Sequence, residues 1–278
     1  MLGELLDNVR RRRPLIHNIT NYVTANDCAN ILLACGGSPI MADDIGEVEE
    51  ITALCGGLCI NIGTLNARTV PAMLAAGKKA NELGHPAVLD PVGAGASALR
   101  TDTALRLLEQ VRFSVIRGNI SEIKTLASGR GSTLRASAQG VDADTGDAVT
   151  GDTLDEAARF AKGFAQRTGA VIAVTGAIDI VADADRAYCI FNGHPMMSSV
   201  TGTGCQLSAM TAAFVTANPD RTLEAAAAAV CAMGVCGELA RQRLEDRDGN
   251  SSYRNYIIDA VYRLDSGTLN RMAHYKTL

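Results

Sequence analysis

The sequence predicts an α/β protein in which a mostly parallel central sheet is covered by helices on both faces. Short apolar runs alternate along the chain with longer amphipathic or alanine-rich segments. This repeated strand-then-helix order favours crossover connections between parallel strands. Continuous apolar runs are typical of strands that are buried on both faces of a sheet.

Strands are predicted where a short apolar run is bounded by turn-forming or polar residues. In chain order they are Ser38–Ala42, Leu58–Ile62, Ala87–Asp90, Phe113–Ile116, Val171–Thr175, Asp179–Ala182 and Ala187–Phe191. Helices are predicted where apolar residues recur at helical spacing or alanine dominates. In chain order they are Leu2–Arg12, Val23–Cys35, Val48–Cys55, Ala67–Leu83, Thr101–Val111, Ser121–Ala127, Leu154–Arg167, Cys205–Thr216, Leu223–Leu244 and Tyr253–Arg263.

Two segments depart from this alternation. A short polar connection separates Asp179–Ala182 from Ala187–Phe191, so this pair predicts an antiparallel hairpin at one edge of the sheet. The stretch Ser128–Asp152 is rich in small and polar residues and has no clear periodicity. It predicts either a mobile loop or lid over a site or a surface connection without a role. Because no linker or repeat divides the chain, we expect residues 1–278 to form a single domain.

Composition excludes several classes of protein. The chain has 278 residues and a formal net charge of −4, which gives no reason to expect a nucleic-acid or membrane partner. No apolar run is expected to reach the roughly 20 residues that cross a bilayer, and Met1–Arg13 lacks the apolar core of a signal peptide. The eight cysteines form no C-x-x-C pair, and buried free thiols are typical of a reducing compartment. We therefore expect a cytoplasmic protein.

The most informative segment is the glycine-rich turn Val200–Cys205 (VTGTGC), which precedes an apolar helix. The first N–H groups of a helix have no partner within the helix, and the helix dipole adds positive charge there. Such a terminus is a ready anion site, and phosphate is the usual anion. Cys205 stands in the first turn, where the dipole favours a thiolate. The turn therefore predicts phosphate chemistry beside an ionisable side chain.

Two carboxylates follow neighbouring predicted strands. In an open α/β sheet, ligands bind beyond the carboxyl ends of the strands. Asp90 ends one strand, and Glu122 lies in the first turn of the helix after the next strand. Such carboxylates can share a hydrated magnesium ion with substrate phosphates. The alternative is that Asp90 caps the following turn and Glu122 complements a helix N-terminus.

Two further polar residues are candidates at the same edge. Arg117 follows the predicted strand Phe113–Ile116, where its planar guanidinium would suit a phosphate. The alternative for Arg117 is a surface salt bridge. His17 lies in a polar segment that could line a pocket, but a structural histidine with satisfied hydrogen bonds is the favoured interpretation.

Taken together and in order, several segments make the chain resemble the hydroxyethylthiazole kinases of thiamine salvage, which belong to the ribokinase-like superfamily. The resemblance runs from about Leu15 to about Leu244. The segments that carry it are PLIHNITNYV from Pro14, SPIMA from Ser38, NIGTL from Asn61, LDPVGAGAS from Leu89, IRGNISE from Ile116, VTG from Val174 and VTGTGC from Val200.

The resemblance implies a three-layer ribokinase-like fold without a separate lid domain. It implies ATP- and Mg²⁺-dependent phosphorylation of the primary hydroxyl of 4-methyl-5-(2-hydroxyethyl)thiazole, which supplies thiamine phosphate synthesis. It also implies a homotrimer with active sites at subunit interfaces. The implied site residues are Met41, Gly202, Asn21 and Gly63 for the thiazole, Arg117 and Thr175 for ATP, Asp90 and Glu122 for magnesium, and the amides of Gly202, Thr203, Gly204 and Cys205 for the transferring phosphoryl group.

Cys205 separates this family from its relatives. It occupies the position where most ribokinase-like enzymes carry the Asp that deprotonates the attacking hydroxyl. We expect the helix terminus to lower the pKa of Cys205, so that its sulfur accepts or orients the hydroxyl proton. A nicotinamide-hydrate dehydratase of the same fold is the second hypothesis, but it typically has Asp at this position. A non-catalytic thiazole- or nucleotide-binding sensor is the third.

Overall fold

The structure is a computed structural model that describes residues 1–129 and 149–278. The strands of this part of the chain are β1 Leu15–Ile19, β2 Ser38–Met41, β3 Gly57–Asn61, β4 Ala87–Asp90, β5 Val115–Asn119, β6 Val171–Thr175, β7 Asp179–Ala182, β8 Ala187–Ile190 and β9 Tyr275–Thr277. Its α-helices are α1 Leu2–Arg12, α2 Ala25–Cys35, α3 Val48–Leu54, α4 Thr69–Leu83, α5 Ala98–Gln110, α6 Ile120–Ser128, α7 Leu154–Thr168, α8 Thr203–Ala217, α9 Thr222–Arg243, α10 Asn250–Arg263 and α11 Ser266–Met272.

These strands form one sheet in the order β2-β1-β3-β4-β5-β6-β7-β8-β9. The pairs from β2 to β6 are parallel, and the three pairs from β6 to β9 are antiparallel. The predicted parallel sheet and the predicted hairpin of β7 and β8 are therefore confirmed. That all 278 residues form a single domain stays a prediction.

Two apolar cores cover the two faces of the sheet. One contains buried side chains of α1, α2, α8, α9, α10 and α11, and the other contains those of α3 to α7. Successive strand residues contribute to opposite cores: Cys59 belongs to the first, while Leu58 and Ile60 belong to the second. This arrangement confirms the prediction of a sheet between two helical layers.

Helix α9 contradicts the expectation that no apolar run reaches the length of a membrane span. With the turn before it (Pro219–Arg243), it is long and apolar enough, by length and composition, to cross a membrane. However, 83% of its most apolar window is buried inside the fold, where it packs against α1, α8 and α10. A helix that is apolar all round and enclosed by other helices is a core helix.

Three elements were missed and one was misplaced. Strand β1 lies where His17 and Asn18 predict a polar segment, and four of its five residues are buried between β2 and β3. Helix α11 and strand β9 follow the last predicted helix. Strand β5 ends at Asn119, so Arg117 lies within the strand and does not follow it. Most of the segment Ser128–Asp152 lies outside the described residues, so its predicted role as a lid or a connection stays a prediction.

Candidate active site

The carboxyl ends of β3, β4, β5 and β6 bring together most of the polar residues singled out by the sequence. Asn61 and Asp90 end β3 and β4 and are register partners. Asn119 and Thr175 end β5 and β6 and are also partners. Helix α8 packs across β1, β3 and β4. The candidate site is therefore an edge of parallel strand ends beside a helix N-terminus.

Asp90 lies at the centre of this edge and is fully buried. Its Oδ2 accepts hydrogen bonds from Asn61 Nδ2 at 2.7 Å and from Ser208 Oγ at 2.8 Å. Its Oδ1 has no hydrogen-bond partner among the described residues and lies 3.6 Å from Arg117 Nη1. Burial raises the pKa of Asp90, while Arg117, Ser208 and Asn61 oppose this rise. Asp90 therefore does not cap the turn that follows it.

Arg117 links Asp90 to the end of β6. Its Nη2 donates to Thr175 Oγ1 at 2.6 Å, and its side chain is 13% exposed. Its Nε is buried without a hydrogen-bond partner in the described part of the chain. The alternative of a surface salt bridge is wrong, because the partner carboxylate is fully buried. Both residues implied for ATP thus contact each other directly.

The N-terminus of α8 lies against the guanidinium of Arg117. Gly202 precedes the helix with φ of 85°, a left-handed conformation that glycine adopts without strain. A Cβ on Gly202 would lie 2.3 Å from Thr24 Cγ2, and one on Gly204 would lie 2.5 Å from Arg117 Nη1. Both glycines therefore allow a close approach, the second by the guanidinium to the helix amides. Positive charge and helix N–H groups converge where an anion would bind.

Cys205 is held by two side-chain amides. Asn21 Nδ2 and Asn61 Nδ2 each donate to its Sγ at 3.2 Å. Burial, followed by the charge of Asp90, raises the pKa of Cys205. The expectation of a lowered pKa is wrong, because desolvation and the neighbouring Asp90 outweigh the opposing effects of Thr24, Arg117 and Asn21. The sulfur is a thiol at neutral pH.

Glu122 completes a capping box at the start of α6. Its Oε2 accepts from Asn119 N at 2.8 Å, and Asn119 Oδ1 accepts from Glu122 N at 2.8 Å. Its Oε1 accepts from Gly93 N at 2.7 Å in the turn after Asp90. The helix-capping interpretation is thus confirmed as geometry. Burial, followed by the charge of Asp90, raises the pKa of Glu122 to about 7. Glu122 therefore caps α6 and is also a carboxyl that can change its charge near neutral pH.

A second carboxyl with a raised pKa, that of Asp179, lies at the same edge of the sheet. Asp179 begins β7 and accepts from Gly176 N at 2.8 Å, in the turn after Thr175. Burial raises its pKa to about 7, against the opposing effects of Gly176 and Arg117. Asp179 therefore holds the turn that follows Thr175.

The residues implied for the thiazole fall into two groups. Asn21 is buried, and its Nδ2, which donates to Cys205 Sγ, also donates to Asn61 Oδ1 at 3.0 Å. Gly63 N donates to the same Asn61 oxygen at 2.9 Å. Met41 ends the edge strand β2, pairs in register with Asn18 and is 39% exposed. The structure thus links Asn21 and Gly63 by hydrogen bonds, while Met41 lies two strands from β3.

Asn61, which begins the motif NIGTL, and Ser208 both contact Asp90, but neither is among the predicted site residues. Signals for both exist. Asn61 ends a strand directly beside the strand that ends in Asp90, so neighbouring strand ends imply contact. Ser208 lies three residues after Cys205 on α8, which places both on one helix face. Reading the site as strand ends plus one helix face would have included both residues.

Carboxylate and thiol groups alone do not make a metal site here. The described ranges contain no group of three or more His, Cys, Asp or Glu side chains that could hold a metal ion. What they contain is one buried carboxylate oxygen without a hydrogen bond, Asp90 Oδ1, and the nearby carboxyl of Glu122. Magnesium usually keeps several waters and binds one or two carboxylates with substrate phosphates. This donor set therefore fits a hydrated divalent cation that arrives with a phosphate ligand.

Comparison with known proteins resolves the family. The model of the hydroxyethylthiazole kinase family matches residues 6–267. A hydroxyethylthiazole kinase from Clostridium acetobutylicum is 66% identical over 277 residues, which cover 100% of each chain. The chain belongs to the hydroxyethylthiazole kinase family. The matched segment contains every residue named in the candidate site.

Solved structures agree with this membership in the family. The hydroxyethylthiazole kinase protein from Pyrococcus horikoshii OT3 superposes with a TM-score of 0.87 at 36% identity, covering 100% of this chain and 98% of that one. The pyridoxal kinase from Staphylococcus aureus, in complex with AMP-PCP and pyridoxal, has a TM-score of 0.57 at 12% identity over 95% of this chain and 97% of that chain. The second likeness concerns the fold alone, and it confirms the ribokinase-like architecture.

Proposed function

We propose that this member of the family transfers the γ-phosphoryl group of ATP to the primary hydroxyl of 4-methyl-5-(2-hydroxyethyl)thiazole. Family membership supports the reaction. The observation that supports its location is the convergence of the α8 N-terminus, Arg117 and Asp90 at one edge of the sheet. Transition states of phosphoryl transfer are loose, so positioning and charge neutralisation contribute most of the catalysis.

The chain's own groups are suited to the charge that develops. In this proposal the amides of Gly202 and of the first residues of α8, Thr203 to Cys205, donate to the transferring group. Arg117 is held between Asp90 and Thr175, and its guanidinium faces the same amides across Gly204. In this proposal Arg117 and Thr175 bind the ATP phosphates, and the amides hold the equatorial oxygens.

Asp90 and Glu122 are proposed to hold magnesium through its water shell. Asp90 supplies the unpartnered Oδ1, and Glu122 supplies a carboxyl that Asp90 already influences. When bound, the ion neutralises phosphate charge and orients the ATP phosphates. Asn61 and Ser208 keep Asp90 in place by donating to its other oxygen.

The thiazole is proposed to bind between the Asn21–Gly63 network and Met41, with Gly202 beside the reacting hydroxyl. Asn21 both contacts Cys205 and accepts from Thr24 N at 3.0 Å. The asparagine therefore ties the start of α2 to the thiol. Uncharged groups such as these suit an uncharged heteroaromatic alcohol.

We expect Cys205→Ala to lower kcat by about 10- to 100-fold without abolishing it. Burial favours the protonated thiol, which Asn21 and Asn61 hold, so in this proposal Cys205 orients the hydroxyl. A loose transition state needs little base assistance. Steady-state kinetics with the thiazole alcohol measures the change. Cys231→Ala, a buried thiol in α9, is the control and should leave kcat within about threefold. Complete loss of turnover in folded Cys205→Ala would contradict this role.

A homotrimer with active sites at subunit interfaces is part of the proposal. Apolar side chains are exposed next to the carboxyl ends of β1 and the edge strand β2: Tyr22 is 81% exposed, Val23 58% and Ile45 54%. Met41, at the end of β2, is 39% exposed as well, and exposed apolar side chains that group together favour an interaction surface. A cytoplasmic location is likewise proposed.

An assay of ADP formation across candidate substrates tests the function. The wild-type protein with ATP and Mg²⁺ is mixed with the thiazole alcohol, with hydrated NADH, or with neither. We expect ADP and the thiazole phosphate only with the thiazole alcohol. ADP formed only with hydrated NADH would support the dehydratase. Thiazole binding by calorimetry without ADP formation would support the sensor.

A further inference from the structure

His17 is a buried histidine that the proposed chemistry does not use. It lies in the middle of β1 and is fully buried between β2 and β3. Its Nε2 lies 2.9 Å from the carbonyl oxygen of Ala42, and its Nδ1 lies 2.9 Å from Thr52 Oγ1. Ala42 directly follows Met41, the last residue of β2, and Thr52 belongs to α3. One ring thus contacts the first residue after β2 and the helix α3 that follows the connection.

The hydrogen-bond inventory fixes the direction of one of these contacts. A carbonyl oxygen only accepts, so Nε2 carries a hydrogen and donates to Ala42. Burial lowers the pKa of His17, so the ring is neutral at neutral pH and Nδ1 has no hydrogen. The single hydroxyl hydrogen of Thr52 then faces two acceptors, Nδ1 and the carbonyl of Val48 at 2.7 Å. The bond to Ala42 is therefore the one that the ring makes in every arrangement of these hydrogens.

The carbonyl of Ala42 is at the position where the sheet stops supplying donors. The parallel pairing of β1 with β2 runs from Ser38 to Met41 and ends there. A buried carbonyl without a partner costs free energy, and Ala42 is itself only 7% exposed. The side chain of His17 provides the donor that the strand ladder no longer provides. The path of the chain just after Met41 consequently depends on this ring.

We propose that His17 is a positioning residue, which holds the main chain after Met41 so that the thiazole alcohol can bind. The proposal rests on the proposed function for the identity of the ligand. That His17 fixes the connection Ala42–Glu47 does not depend on the proposed function. His17 acts through Ala42 and touches no reacting atom.

Two amide substitutions separate positioning from mere packing. In His17→Gln, the side-chain amide extends far enough to replace Nε2 as donor to Ala42, whereas in His17→Asn it extends only to the position of Nδ1, near Thr52. We expect His17→Asn to raise the KM for the thiazole alcohol about 10-fold, with kcat and the KM for ATP within about threefold of wild type. His17→Gln should restore the KM for the thiazole alcohol to within about threefold.

Thr52→Val is the matched control. It removes the hydroxyl beside Nδ1 but keeps the bond from Nε2 to Ala42. We expect it to lower Tm while leaving the KM for the thiazole alcohol within about threefold. Equal increases in KM for His17→Asn and His17→Gln, or a parallel rise in the KM for ATP, would overturn the proposal and leave His17 a packing residue.

Hydrogen exchange provides a readout that does not depend on the substrate. Amides of the segment from Ala42 to Val48 should exchange faster in His17→Asn than in wild type, and His17→Gln should restore the protection. If wild-type protein fails to phosphorylate the thiazole alcohol, the proposed function fails and the exchange comparison still decides whether His17 holds this connection. Unchanged exchange in His17→Asn would overturn the proposal.

Discussion

Replacing Asp90 by Asn is expected to lower kcat by about 100- to 1,000-fold in a protein that still folds. The carboxylate contacts Asn61, Ser208 and Arg117 together. Asn has the same shape, but it lacks the charge that balances Arg117 and that would attract a cation. Steady-state kinetics at saturating ATP and magnesium measures the loss, and circular dichroism verifies the fold.

Ser208→Ala is the matched control for Asp90→Asn. It removes one hydrogen bond to the same carboxylate oxygen and keeps the charge. We expect a decrease in kcat of less than about 10-fold, which corresponds to one lost hydrogen bond of about 1 kcal/mol. A folded Asp90→Asn protein that retains more than a tenth of wild-type kcat would contradict the central role of the carboxylate.

Glu122→Gln is expected to raise the magnesium concentration for half-maximal activity about 10-fold or more and to remove its dependence on pH. The pKa of Glu122 is about 7 in the folded protein. In the wild type, this concentration should therefore fall as pH rises from 6 to 8, because ionisation creates the charge that attracts the cation. Magnesium titrations of activity at several pH values measure both effects.

Asp179→Asn is the control for Glu122→Gln, since Asp179 has a similarly raised pKa but holds the turn at Gly176. In this variant the pH dependence of the magnesium requirement should persist. A magnesium requirement unchanged in Glu122→Gln would count against its role.

Without metal, Glu122 also affects folding. Its folded pKa of about 7 exceeds the ordinary 4.5, so the folded protein binds a proton that the unfolded chain releases between these values. Stability contributed by this group is present below about pH 4.5 and decreases as pH rises towards 7.

Most of the fold could be predicted because its strands are short apolar runs that alternate with helices. β1 was not predicted because His17, Asn18 and a nearby Thr20 make it look like a loop. In the structure the His17 ring contacts Ala42 and Thr52, and Asn18 Nδ2 donates to the carbonyl of Ile16. β9 escaped because all three of its residues are exposed and carry no apolar pattern. This edge strand forms by pairing with β8, and that pairing cannot be inferred from a single sequence.

The candidate site was predicted as residues but not as contacts. Strand ends and the glycine turn indicated Asp90, Arg117 and Cys205, because general rules place ligands there. The predicted direction of the pKa shift of Cys205 was wrong. A position at a helix terminus does not indicate how deeply the sulfur is buried or that Asp90 is its neighbour. Electrostatic balance depends on distances between distant segments, and these distances become available only from the structure.

The segment from Gly202 to Ser208, about two helical turns at the start of α8, carries the glycine amides, Cys205 and Ser208 in fixed relative positions. Each residue advances a helix by about 100°, so a one-residue insertion or deletion between Gly202 and Ser208 would turn one end of this segment away from Asp90. The number of residues between Gly202 and Ser208 is consequently as constrained as their identity. The hairpin turn between β7 and β8 carries no such arrangement, and changes in length during evolution should be tolerated there while they are eliminated at the start of α8.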